Sequence, residues 1–110
     1  MRICLNTRPG DASGYAGRLR AEVERQLSTV SFTSEVAEAD VLLLIVGPRW
    51  VRDDDTSPSR LLDVHDPVRR VLEGAISRGT RAVPLLVRGA QLPSPDDLPE
   101  HLQSLRQINA

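Results

Sequence analysis

At 110 residues the chain has the length of one domain, 1–110, with a single modest core. Its 14 basic and 15 acidic residues leave a formal net charge of −1, which excludes a global field for nucleic acid or an anionic membrane surface. The basic residues are all arginine, and with one Phe, one Tyr and one Trp the core must be aliphatic.

The segment "RICLNT" (2–7) reads as a first strand. Cys4 within it is the sole cysteine, which excludes an internal disulfide or a cysteine metal cluster and reads as a small buried hydrophobe. The opening "MRICLNTRPGD" holds no apolar stretch of signal-peptide length, and no run approaches about 18 apolar residues, so the expected location is the cytoplasm. A loop with Pro9, Gly10 and Gly14 follows, then a helix from about Ser13 to Leu27 with Ala16, Leu19, Val23 and Leu27 on its inner face. "TVSFT" (29–33) suits a short second strand, and "SEVAEA" (34–39) at most a turn and a half of helix.

"DVLLLIVG" (40–47) is a continuous apolar run, as expected of a strand buried on both faces in a parallel sheet. A long polar loop runs from Pro48 to Asp66. In "HDPVRRVLEGAISRG" (65–79), Asp66 is the expected N-cap, Pro67 the first helical residue and Gly79 the stop. Val68, Val71, Leu72, Ala75 and Ile76 recur at helical spacing, and Glu73 lies roughly 130° from the centre of that stripe, facing solvent. "RAVPLLV" (81–87) is a further strand, whose Pro84 predicts an edge position or a bulge. In the tail, Asp96 and Asp97 lead a short helix ending near Leu105. Strand and helix alternate, so the expected class is α/β with a doubly wound, mostly parallel sheet of about four strands.

Such sheets bind ligands outside the carboxyl ends of their strands, here the loops 8–14 and 48–66. The turn "TRPGDASGYAG" offers free N–H groups before a helix, but it matches neither the dinucleotide fingerprint nor the Walker pattern, and a plain strand-to-helix turn is preferred. Asp53, Asp54 and Asp55 are adjacent rather than spaced, which suits a solvated loop better than a cation site. His65 and His101 stand apart, without ligands at metal spacing, and no Ser–His or Cys–His constellation presents itself. Trp50 suits either stacking on a ligand ring or plugging the space beneath the loop, and the plug is preferred.

"SGYAGRL" (13–19), "DVLLLIVGPRW" (40–50) and "VRRVLEGAISRGTRAVPLLVRGAQLPSPDDLPEHLQSL" (68–105) together resemble bacterial TIR (Toll/interleukin-1 receptor) domains, in order and over more than half the chain. The resemblance implies a flavodoxin-like fold and one of two activities. Many TIR domains are adaptors that assemble with other TIR domains. Many bacterial ones cleave NAD with a Glu on the helix after the "GPRW" loop, accompanied by an aromatic four residues earlier. This pattern places Val71 where the Glu would be and Pro67 where the aromatic would be. The early Ser-Tyr-Arg run of the family reads Asn6-Thr7-Arg8 here, and only residues 28–39 stand where the family has a strand, a pocket-covering loop and a full helix. The segment "RQINA" stands where the family would make a last strand and helix, as expected of a truncation, a piece of a larger protein or a degenerate domain.

The resemblance thus points to a shortened TIR-like interaction module in signalling or defence, pairing with other TIR-type domains or with itself. No catalytic residue, metal, nucleic acid or membrane partner is expected. Two alternatives are an NAD hydrolase drawing its acid from Asp63 or Asp66, and a sensor binding NAD or ADP-ribose without cleaving it. The residues assigned to such a ligand are Arg8, Gly14, Tyr15 and Trp50.

Overall fold

The apolar run Val41–Val46 lies at the heart of the sheet. A computed structural model describes residues 1–107 of the chain. The strands are β1 (Arg2–Thr7), β2 (Ser31–Phe32), β3 (Val41–Val46) and β4 (Arg81–Leu86), all parallel, in the order β2-β1-β3-β4. Two α-helices connect them: α1 (Ser13–Gln26) after β1 and α2 (Pro67–Arg78) before β4. The result is the expected α/β, flavodoxin-like arrangement.

Alternation along β3 divides the core. Leu42, Leu44 and Val46 join Cys4 and Ala82 on one face, beneath Val68, Leu72 and Ala75 of α2. Leu98, Leu102 and Leu105 of the tail complete that cluster. Ile45 faces the other way, towards Ala16 of α1, with Leu5, Leu43 and Leu85 half-buried around it. Each fully buried leucine contributes on the order of 2 kcal/mol. Burial also pushes the Cys4 thiol above its usual range, aided by the nearby charge of Glu35.

The start and stop signals of α2 fall where the sequence puts them. The Asp66 carboxylate accepts from Arg69 N–H, Pro67 opens the helix, and Gly79 closes it at φ 73°. Pro84 sits on an edge strand, as one of its two expected placements requires. Val87 N–H reaches the Val46 carbonyl at 3.0 Å, so odd-numbered residues of β4 turn their backbone groups to β3 and even-numbered ones to the open edge. Pro84 thus removes no ladder bond.

Four expectations need correction. Leu27 is 51% exposed rather than buried, because α1 ends at Gln26 and the chain turns extended at Leu27. Ile76 is 39% exposed, because the buried face of α2 is shifted towards Arg69. Glu73 is only partly exposed and bonds both Arg69 and His101, instead of standing free in solvent. The pieces at 34–39 and in the tail are 3₁₀ rather than α: Val36–Glu38, Pro95–Asp97 and Glu100–Gln107.

Candidate functional site

The carboxyl ends of β1, β3 and β4 open onto three loops, and the polar side chains there divide sharply into committed and free. On the α2 side the charges of Arg8 and Asp66 are committed to each other. Arg8 is buried, donating from Nη1 and Nη2 to the two Asp66 oxygens at 2.5 and 2.9 Å and from Nε to the Trp50 carbonyl at 2.6 Å. Asp66 is buried as well, and also caps α2. Trp50 is 0% exposed, wedged into the core with Leu61 and Val68. Its indole is the plug, with neither face open to a ligand ring.

A second buried arginine braces the loop before α2. Arg69 donates from Nη1 to the carbonyls of Leu61 and Leu62, at 3.3 and 3.1 Å, and from Nε to Glu73 at 3.1 Å. Ser59 caps the 3₁₀ turn Arg60–Leu62 by accepting from Leu61 N–H, and Asp63 accepts from His65 N–H. The loop is thereby held from below while Leu62 (48%) and Val64 (59%) remain exposed. His101 Nε2 meets Glu73 Oε2 at 2.6 Å, tying the tail to α2. The His101 and Arg69 hydrogen bonds, in that order, hold the Glu73 carboxyl below the usual glutamate range.

On the other side, Asp11 links two loops. Its buried carboxylate accepts from the N–H groups of Gly47 and Arg49 at 3.0 and 2.9 Å. Gly47 is required here because a Cβ would collide with that carboxylate. Next to it lies a cavity of about 450 Å³ bordered by Gly10, Ala12, Pro48, Arg49 and Arg88. Pro48 also borders a larger groove of about 710 Å³ whose rim includes Asp55, Gln91, Ser94 and Asp96. Within that rim Arg52 pairs with Asp97 at 2.5 Å. Burial pushes the Asp97 carboxyl up, but hydrogen bonds from Ser94 and Arg52 outweigh it and hold the carboxyl below its usual range.

Of the residues assigned to a ligand from the sequence, Arg8 and Trp50 are brought together, but inside the protein, and Gly14 and Tyr15 do not join them. Arg8 and Trp50 are internal, whereas Gly14 and Tyr15 are exposed on α1, with the Tyr15 ring under the guanidinium of Arg18 at 5.8 Å. Val71 is half-buried against the core, and Pro67 is exposed at the helix start. The Asp53–Asp55 run behaves as a solvated loop: Asp53 pairs with Arg60, and Thr56 and Ser57 bond Asp54 and lower its carboxyl. Among the described residues no group of three His, Cys, Asp or Glu side chains could hold a metal ion. No helix of the described residues is long and apolar enough to cross a membrane. The cations of the site with no carboxylate partner among the described residues, Arg49 and Arg88, differ from the one assigned. Arg49 stands in a loop the strand order picks out, but Arg88 follows β4, where Gly89 signals a turn and nothing in the sequence signals a site.

The chain matches no family model and no curated protein.

Proposed function

We propose that this chain is a TIR-like protein–protein interaction module of bacterial signalling or defence, working by association rather than catalysis. The observation that carries the reading is the braced loop Ser59–Asp66. Two aliphatic side chains, Leu62 and Val64, stand in solvent on a backbone held by the buried Arg69 and Ser59 and by the exposed Asp63. Exposed aliphatic residues on a rigid loop favour a protein partner, because little conformational freedom remains to be lost on binding.

The side chains at the α2 side of the strand ends support the non-catalytic half of the proposal. Arg8, Asp66 and Trp50 occupy the α2 side of the strand ends, and Val71 places an apolar side chain where the resemblance would have a carboxylate. Asp66 serves as cap and ion-pair partner, which leaves it poorly suited to act as a replacement acid.

The partner class is a second TIR-type domain or another copy of this chain. Size-exclusion chromatography with light scattering over a concentration series tests it, beside Leu62→Asp with Val64→Asp. Concentration-dependent growth in mass, abolished by the double variant, is the expected result. A strictly monomeric chain at high micromolar concentration that also captures no TIR-type domain would sink the proposal.

A further inference from the structure

The cavity between the α1 start and the turns after β3 and β4 has unspent positive charge. Arg49 and Arg88 enter its border from two different loops, both are exposed, and neither guanidinium has a carboxylate partner among the described residues. The neighbouring arginines of the strand-end loops differ: Arg8 is committed to Asp66 and Arg52 to Asp97. The one carboxylate in the cavity wall, Asp11, is buried with an oxygen on each of two backbone N–H groups, whose dipoles partly offset its charge. The positive end of α1 adds to the field, since Ala12 provides no side-chain cap and the first turn holds no acid.

We propose that this cavity binds a phosphate monoester, with the phosphate on Arg49 and Arg88 and a hydroxyl-rich group crossing Pro48 into the adjoining groove. Two guanidiniums bordering one cavity suit phosphate through their rigid forks of donors. A volume of about 450 Å³ exceeds what a bare phosphate fills, and the shared wall at Pro48 leads into the groove of about 710 Å³. Asp55 and Asp96 on that groove carry no arginine partner among the described residues, and carboxylates there accept from hydroxyl donors. The ligand class is accordingly a sugar phosphate or a larger molecule presenting one. This site lies apart from the Leu62–Val64 loop, so it stands or falls independently of association.

Isothermal titration of the full chain with ribose 5-phosphate, inorganic phosphate and ribose tests the site. Ribose 5-phosphate binds, inorganic phosphate binds more weakly, and ribose alone does not bind. Arg49→Ala and Arg88→Ala each weaken the two phosphate ligands about tenfold. Both side chains are exposed and Arg49→Ala keeps the N–H that Asp11 needs; Arg88 stands at φ 55°, so circular dichroism of each variant checks that the fold is kept. Asp96→Asn weakens ribose 5-phosphate and leaves inorganic phosphate unchanged. Absence of ribose 5-phosphate binding, or unchanged binding by the double arginine variant, overturns the proposal. Equal binding of ribose and ribose 5-phosphate overturns the role of the phosphate. Equal binding of ribose 5-phosphate and phosphate, indifferent to Asp96→Asn, overturns the extension into the groove.

Discussion

Arg8 and Asp66 lie 58 positions apart in the sequence and form a buried, two-pronged ion pair that joins the end of β1 to the start of α2. The Asp66 carboxylate accepts three hydrogen bonds: it takes both prongs of Arg8 and caps the helix through Arg69 N–H. Arg8, in turn, holds the Trp50 carbonyl and so fixes the loop after β3.

Removing one partner of such a pair strands the other in the interior. Asp66→Ala is expected to lower stability by about 3–5 kcal/mol, measured by urea unfolding. Asp66→Asn keeps a capping oxygen and is expected to fall short of that loss.

At Gly47 the constraint is steric. Gly47→Ala would drive a methyl into the Asp11 carboxylate and disturb its two backbone bonds. A loss of about 1–3 kcal/mol is expected. Gly14→Ala is the control, since a Cβ there meets nothing within 4 Å, and its unfolding midpoint should stay near or above that of the parent.

Acid should weaken the tie between the tail and α2. The Glu73 carboxyl ionises at lower pH when folded than its ordinary value of 4.5, owing first to His101 and then to Arg69. Its contribution is therefore complete above the ordinary glutamate range and fades as pH falls through the lowered folded value. An NMR titration of the Glu73 side chain should show a midpoint below 4.5 that moves upward in His101→Ala. An unmoved midpoint in that variant would assign the effect to Arg69.

Installing a carboxylate on α2 should not by itself create an NAD-cleaving site. Val71→Glu is expected to cost about 1–3 kcal/mol, because Val71 packs half-buried against the core. Neither it nor Val71→Glu with Pro67→Trp is expected to release nicotinamide from NAD, since Arg8, Asp66 and Trp50, on the same side of the strand ends, are all buried and none of them is open to a ligand. Turnover by the single variant would show that a working pocket survives there.

The framework was legible because it rests on local chemistry. The apolar run of β3, the Asp66-Pro67 start and Gly79 stop of α2, and Pro84 in an edge strand follow from patterns a few residues long. The site was less legible because its decisive contacts are long-range. Nothing near Arg8 in sequence announces Asp66, and Arg69 sits in a helix whose periodicity gives no hint that a guanidinium lies beneath a loop. Arg8, Arg49 and Arg88 are chemically identical in the sequence. Only the fold distinguishes the one that is buried and paired from the two that face the cavity.

Pro84 bears on a different hazard. Without it, β4 would be a run of aliphatic residues with an unbroken row of amide donors along an open border, the kind of segment that templates amyloid-like stacking between chains. The ring withholds one donor at the middle of that border while leaving the pairing with β3 intact. The β4 edge is thus a poorer template for the growth of one sheet onto another than the aliphatic run alone would be.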